Sequence, residues 1–151
     1  MFVDASAIVA ILNEEADATA FSTQLASHNG PFFVSGLVRF EASTALARAK
    51  VRVGSSTRKP TAETLKQAES VVDDFAEAIG AEDIEISREI GRLALEASRR
   101  FGKAVGHPAD LNFGDCFAYA CAKAKGTRLL FKGDDFGLTD INDRPRGGAD
   151  A

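Results

Sequence analysis

The sequence predicts an α/β fold built around a parallel sheet. Short apolar segments that suit buried strands alternate with longer segments whose apolar residues recur at helical spacing. The 151 residues suffice for one domain, and no internal repeat or long linker divides them. Hydrophobic residues make up 45% and charged residues 26% of the chain, which is typical of a soluble globular protein.

The first third of the chain contains two predicted strands, each followed by helix. Residues 1–4 form a short apolar strand, and Ser6 is the predicted cap of the helix that follows it. A second helix is expected over about 16–25. After a turn, residues 32–34 form the second strand, and Ser35 caps a helix that extends to about Lys50.

The rest of the chain repeats this alternation. Thr61 and Ser87 start two helices, and Gly126 ends the last helix. Acidic and apolar residues alternate in the strand around Ile84 and Ile86. The predicted elements are a polar loop over 54–60, a helix from Thr61 to about 75, a strand around Ile84 and Ile86, a helix from Ser87 to about 101, a helix over 112–125 and a strand over 128–131. Residues 143–151, rich in Gly, Pro and Arg, are expected to be a loose C-terminal tail.

Charge and cysteine content narrow the classes of function. The formal net charge of −4 repels nucleic acid, so such a contact needs a local basic patch, metal ions or both, and a non-enzymatic nucleic-acid binder is disfavoured. Cys116 and Cys121 share one predicted helix and are expected to be core residues rather than a disulfide or metal site. With no basic leader and no apolar run of bilayer length, we expect a cytoplasmic protein without a membrane span.

Four acidic positions lie beside apolar segments and are expected to meet in space. Asp4 ends the first strand, and the Asp134–Asp135 pair follows the fourth. Functional groups of open parallel sheets gather outside the carboxyl ends of the strands. Asp115 lies in the first turn of its helix, and Glu41 lies one to two turns into another, from where its side chain can reach the same edge.

A cluster of carboxylates favours a divalent cation. Carboxylates that share a site raise one another's pKa unless a cation offsets their charge. Mg²⁺ or Mn²⁺ is the natural partner, since both prefer oxygen ligands and the sequence offers no His/Cys set suited to zinc. Such ions activate water and offset charge on phosphoryl oxygens, so metal-dependent phosphodiester hydrolysis suits this inventory best.

Each acid taken alone also has a structural interpretation. Asp4 could cap the first helix, and Asp115 could interact only with the helix dipole. Glu41 could be an exposed helix charge, and a Gly-Asp-Asp sequence is common in solvated turns. Lys132 could contact phosphate, although a lysine at the end of a strand is usually solvated. The metal hypothesis therefore depends on the whole set.

Four motifs resemble those of PIN-domain proteins, and most closely those of the VapC toxins of bacterial toxin–antitoxin pairs. The motifs are FVDASAIVAIL at 2–12, FEA at 40–42, NFGDCFAYA at 112–120 and LLFKGDDF at 129–136. They stand in the family's order and span nearly the whole chain. The resemblance implies a PIN-like three-layer α/β/α domain over 1–142, with a central parallel sheet of four or five strands.

The resemblance also implies a function and assigns roles to the acids. It implies a Mg²⁺- or Mn²⁺-dependent endoribonuclease, the toxin of a VapBC pair, that forms a homodimer and is inhibited by a VapB-type antitoxin. By position, Asp4 and Asp115 would be the principal metal ligands, and Glu41 would bind the metal directly or through water. Asp135 matches the fourth acid best, with Asp134 as its competitor, and Ser6 would form hydrogen bonds within the site.

Two other classes of function remain as alternatives. A phospho-acceptor, receiver-like signalling domain also has an acidic Mg²⁺ site, but it needs an aspartate at the end of a central strand. The segment at 32–35 has none, and Asp83 precedes its strand. A non-catalytic interaction module could use the acids to bind a structural ion.

Overall fold

Four short parallel strands form one sheet in the order β3-β2-β1-β4. The computed structural model describes residues 1–52 and 57–142. The strands are β1 (Phe2–Val3), β2 (Phe33–Ser35), β3 (Glu82–Ile84) and β4 (Leu129–Leu130). Phe2 is in register with Phe33 on one side and with Leu129 on the other. All the carboxyl ends therefore lie at one edge of the sheet, as the sequence predicts.

Six α-helices connect and cover these strands within the described part of the chain. They are α1 (Ala5–Leu12), α2 (Ala18–Ala26), α3 (Gly36–Val51), α4 (Ala62–Ala78), α5 (Arg88–Phe101) and α6 (Phe113–Ala124). Short 3₁₀ turns follow at Lys103–Val105 and Asp135–Leu138. The side chains of Ser35, Thr61 and Ser87 accept the capping hydrogen bonds of α3, α4 and α5, which confirms these predicted starts.

The sheet is covered on both faces. Successive side chains of a strand point to opposite faces, and both Phe2 and Val3 have no exposed surface. Helices must therefore lie on each side, which agrees with the three-layer α/β/α architecture implied by the resemblance. Cys116 and Cys121 are free thiols buried in α6, as expected for core residues. None of the described helices has the length and apolar character needed to cross a membrane.

Local predictions were wrong at the start of α1 and at both ends of β3. Ser6 is not the cap of α1, because Asp4 holds the N-cap position and its carboxylate accepts the Ser6 N–H. The third strand begins at Glu82, so that Asp83 lies within it rather than before it, and it ends at Ile84, with Ile86 38% exposed beyond it. In the first case the helix already begins at Ala5, before Ser6, and the Ser6 hydroxyl donates to Asp4 instead of accepting an amide of its own helix. In the second, the apolar alternation continued past the last paired residue.

Two sequence predictions lie wholly or partly outside the described residues. The predicted tail at 143–151 is one of them, and positions 54–56 of the predicted loop are the other. The remainder of that loop, 57–60, is described and has no regular secondary structure.

Candidate active site

A pocket of about 340 Å³ lies where β1 and β4 end, and most of its polar lining is acidic. Its lining residues come from five separate parts of the chain. They are Asp4, Ala5, Ser6, Val9, Glu15, Glu41, Ala45, Asp115 and Lys132. The fold thus brings Asp4, Glu41 and Asp115 into one pocket, although 74 residues separate the last two in sequence.

Asp4 is the deepest acid of the pocket. Its residue is only 6% exposed, and its Oδ2 accepts hydrogen bonds from the Ser6 amide at 3.0 Å and the Ser6 hydroxyl at 2.5 Å. Burial raises the pKa of Asp4, while the bonds from Ser6 act in the opposite direction. Asp4 therefore serves as the helix cap and also stands in the acidic pocket, so the structural and functional interpretations coexist.

Ser6 links the end of β1 to the segment after β4. Its hydroxyl donates to Asp4 and accepts the backbone N–H of Lys132 at 2.9 Å. Both bonds hold the hydroxyl in place, and its proton is already directed at a carboxylate. The geometry suits a residue that positions its neighbours, which agrees with the role implied by the resemblance.

The start of α3 is anchored at both the sheet and the next helix. The Ser35 hydroxyl accepts the Val38 N–H at 3.3 Å. One turn further on, Arg39 donates to both oxygens of Asp83 at 2.9 and 2.8 Å and to Asp73 at 2.6 Å. These contacts tie α3 to β3 and α4, and so fix the turn that carries Glu41.

Glu41 has a strongly perturbed carboxyl group. Its side chain is half-buried, and burial together with the charges of Asp4 and Asp115 raises its pKa from 4.5 to about 7. It packs directly on the backbone of α6 at Gly114, where an added Cβ would come within 2.7 Å of the Glu41 Cδ. Because Gly114 has no side chain, the carboxyl group of Glu41 can pack against α6 at this position.

Asp115 is held at the start of α6 by a capping box. The Asn112 side chain accepts the Asp115 N–H at 3.0 Å, and Asp115 Oδ2 accepts the Asn112 N–H at 2.9 Å. Burial raises the pKa of Asp115, the Asn112 bond lowers it, and the charges of Asp4 and Asp135 add to the rise. Asp115 is thus fixed locally and coupled electrostatically to two other predicted site residues.

The fourth acidic position is beside the pocket rather than in its lining. Asp134 and Asp135 are both exposed at the start of the 3₁₀ turn at Asp135–Leu138. Asp135 is close enough for its charge to raise the pKa of Asp115. The two candidates for the fourth acid therefore differ in their electrostatic relation to the other acids.

Glu15 and Lys132 complete the polar lining, and sequence reasoning missed the first of them. Glu14 adopts a left-handed conformation at φ 52°, and the Glu15 N–H donates to Ala10 at 2.9 Å, so the loop after α1 folds back on that helix. The Lys132 ammonium forms an ion pair with Glu15 and lies 3.7 Å from Asp17. No local signal in the sequence marks this reversal.

The donors of the pocket are of the type that a hydrated divalent cation requires. Asp4, Glu41 and Asp115 offer only oxygen atoms, and their mutual repulsion would be relieved by a cation. Within 1–52 and 57–142, no three Asp, Glu, His or Cys side chains are already arranged to hold a metal ion. Mg²⁺ keeps several waters and is usually bound through one or two carboxylates, so a closed cage of side chains is not required.

A larger cavity of about 810 Å³ lies between α5 and α6, but its chemistry differs. Its lining is mainly apolar with three cations, Arg88, Arg92 and Lys103, and no carboxylate is found among its described lining residues. Leu95 and Phe113 on its walls are 62% and 69% exposed. Since its described lining is mainly apolar and holds no carboxylate or histidine, this groove is a candidate contact surface rather than a reaction centre.

Comparisons with known proteins agree on one family. The PIN domain model matches residues 1–142. A VapC ribonuclease of Rhizobium meliloti is 44% identical over 140 residues, which cover 93% of this chain and 98% of the relative. Ribonuclease VapC28 of Mycobacterium tuberculosis is 38% identical over 146 residues, with 93% and 95% covered.

A solved structure supports the same architecture. The crystal structure of Mycobacterium tuberculosis VapC20, described as a sarcin–ricin loop cleaving toxin, superposes with a TM-score of 0.65. The match covers 90% of this chain and 92% of the other at 20% sequence identity. At that identity the likeness concerns the fold, which is the three-layer arrangement of sheet and helices described above.

Proposed function

The chain belongs to the PIN-domain family and, within it, to the VapC ribonucleases, and from this premise we propose that it is a metal-dependent endoribonuclease. In this proposal it cleaves RNA phosphodiester bonds as the toxin of a VapBC-type pair. The observation that carries the proposal is the meeting of Asp4, Glu41 and Asp115 in one pocket at the carboxyl edge of the sheet. Three neighbouring carboxylates attract divalent cations, whereas without a cation they would repel the phosphates of a polynucleotide.

We assign the metal to the oxygen atoms of these residues. Asp4 and Asp115 would hold a Mg²⁺ or Mn²⁺ ion, and Glu41 would bind it directly or through water. Asp135 is the better candidate for the fourth acid, because its charge acts on Asp115. When bound, the ion would make a coordinated water more acidic and offset charge on the phosphate oxygens.

The protein's own contribution is to hold these carboxylates in place. Ser6 fixes Asp4 through its amide and hydroxyl, and the Asn112 capping box fixes Asp115. Glu41, with its pKa of about 7 in the metal-free pocket, would lose a proton when a cation arrives. Because the Ser6 hydroxyl is occupied on both sides, we assign it a positioning role and not that of a nucleophile.

The substrate in this proposal is single-stranded or loop RNA. Paired A-form RNA hides its base edges in a deep groove, whereas loops present accessible phosphates and bases. The receiver-like alternative receives no support from the family match. The non-catalytic module has the same geometry as a nuclease and is separated from it only by the assay described below.

We further propose a cognate VapB-type antitoxin and a homodimer as the protein partners. The exposed apolar groove between α5 and α6 supports a protein contact, because apolar patches of this kind mark interaction sites. The proposal includes a cytoplasmic location, where an RNA target and an antitoxin would both be accessible.

The proposal is tested by following the cleavage of total bacterial RNA by the purified protein. Wild-type protein should cleave RNA with Mg²⁺ or Mn²⁺ and stop in excess EDTA. Asp4→Asn should lose at least about 100-fold in rate, since a neutral amide is a poor ligand for a hard cation. Asparagine is as good a helix cap as aspartate, so the variant should remain folded.

Asp74→Asn is the matched control, because Asp74 is an exposed aspartate of α4 outside the pocket. It should cleave at the wild-type rate. Full activity in EDTA, or equal loss in both variants, would contradict the proposal. Metal binding by the wild-type protein without cleavage of any RNA would support the interaction module instead. Sequencing of the cleavage ends then identifies the target.

A further inference from the structure

One cation stands in the lining of the acidic pocket. Among the described residues that line it, Lys132 alone carries a positive charge, and it shares the lining with four carboxylates: Asp4, Glu15, Glu41 and Asp115. An RNA phosphate that approaches this pocket meets a strongly negative surface. A lysine at its mouth is the protein's own means of offsetting that charge.

The backbone of Lys132 is held next to Asp4, whereas its side chain is partly exposed. Its N–H donates to the Ser6 hydroxyl at 2.9 Å, and that hydroxyl donates to Asp4. Two hydrogen bonds thus connect its main chain to the deepest carboxylate. Its side chain, by contrast, is 39% exposed and extends on a flexible four-carbon stem.

The ammonium is held at present by an exposed ion pair. It contacts Glu15 and lies 3.7 Å from Asp17, whose side chains are 33% and 46% exposed. Ion pairs of this kind contribute little to stability, because water screens them and two long side chains must be ordered. Lysine is also a common point-charge ligand for phosphate. Replacement of Glu15 by an RNA phosphate as the partner of the Lys132 ammonium therefore has a low free-energy cost.

We propose that Lys132 binds an RNA phosphate beside the carboxylate pocket, and that Glu15 holds its ammonium until RNA arrives. This inference rests on the proposed ribonuclease function and adds a substrate-positioning residue to it. Glu15 then acts as an internal competitor of the substrate. Removal of this acid should improve RNA binding, whereas removal of the lysine should weaken it.

A purely structural role for the pair predicts a different outcome. If the contact only tied the loop after α1 to the end of β4, Lys132→Gln and Glu15→Gln would break the same link and change RNA binding in the same direction. The exchange model predicts opposite directions. It also predicts that Glu15→Gln has no benefit in the Lys132→Gln background, since no ammonium is left to release.

The test is fluorescence anisotropy with a labelled single-stranded RNA of mixed sequence, about 12 nucleotides long, in EDTA to prevent cleavage. We expect Lys132→Gln to weaken binding about three- to tenfold and to reduce the slope of log affinity against log salt by about 0.7. Lys132→Arg should bind within about threefold of wild type, because the charge remains. Glu15→Gln should tighten binding about two- to fivefold.

Two matched controls separate the exchange from general charge effects. Glu14→Gln removes the same charge from the exposed neighbour of Glu15, and Lys66→Gln removes a lysine from the exposed face of α4. Neither should change affinity by more than about 1.5-fold. Equal tightening by Glu14→Gln and Glu15→Gln, or tightening by Glu15→Gln without Lys132, would overturn the proposal.

Two further readouts keep the interpretation clear. Urea unfolding of each variant shows that affinity changes do not reflect loss of the folded state. Cleavage of total RNA with Mn²⁺ by wild-type protein is measured in parallel. If wild-type protein cleaves RNA and Lys132→Gln still binds RNA as tightly as wild type, the role of Lys132 is contradicted and the ribonuclease function is not. Lys132-dependent binding without any metal-dependent cleavage contradicts the ribonuclease function and leaves the phosphate contact supported.

Discussion

Replacement of Glu41 by glutamine should stabilise the metal-free protein at alkaline pH. The carboxylate is half-buried beside Asp4 and Asp115, and these surroundings raise its pKa from 4.5 to about 7. A raised pKa means that the folded state disfavours the charged form. Glutamine has nearly the same shape and no charge, so it removes the unfavourable term without leaving a cavity.

The sign and the size follow from proton linkage. Between pH 4.5 and 7 the folded state binds more protons at Glu41 than the unfolded state, so this group's stabilising contribution is complete below pH 4.5 and is lost as the pH rises through 7. At 1.36 kcal/mol for each pH unit in this interval, the difference between pKa values corresponds to at most about 3.4 kcal/mol. Because water reaches part of the side chain, we expect about 1–2 kcal/mol.

Urea unfolding in EDTA at pH 5 and pH 8 measures this effect. At pH 8 the free energy of unfolding of Glu41→Gln should exceed that of wild type by about 1–2 kcal/mol, and at pH 5 the gap should nearly close. Glu69→Gln, at an exposed position of α4, should stay within about 0.5 kcal/mol of wild type at both pH values. A destabilised Glu41→Gln at pH 8, or a gain independent of pH, would refute this electrostatic account of the pocket.

Two glycine substitutions test close packing, one at the acidic pocket and one at the end of α5. Gly114→Ala would place a Cβ 2.7 Å from the Glu41 Cδ and displace that flexible side chain. RNA cleavage should therefore fall at least about tenfold, while the urea midpoint stays near that of wild type. Unchanged cleavage would contradict the assigned contact. Gly102→Ala would place a Cβ 2.8 Å from the Cα of Ser98, and the backbone at Ser98 cannot move without disturbing α5. The free energy of unfolding in urea should therefore fall by about 2 kcal/mol or more. A change below about 0.5 kcal/mol would contradict this prediction.

Helix starts were predictable because their signals are local. Ser35, Thr61 and Ser87 each cap the helix that the sequence assigns to them, since a short polar side chain satisfies a free amide two or three residues ahead. The same reasoning chose the wrong residue at α1. Asp4 and Ser6 both have suitable side chains, and only the geometry at the end of β1 decides between them.

The composition of the pocket was only partly predictable. The meeting of Asp4 with Asp115 follows from strand order and the position of α6, which the alternation of elements and the family motifs indicate. Glu15 enters the pocket because the chain reverses at Glu14, a conformation that few residues other than glycine adopt readily. Nothing in the neighbouring residues predicts that reversal.

The sequence by itself determined the fold class, the family and the acids placed at the carboxyl edge of the sheet, because these depend on local periodicity, capping and motif order. The tertiary structure decided how those acids act on one another. The pKa of Glu41, the room made by Gly114 and the pairing of Lys132 with Glu15 all arise from contacts between distant segments. The burial of these groups and the distances between their charges are set only when the helices pack, and from then on the pKa of each carboxylate depends on its neighbours.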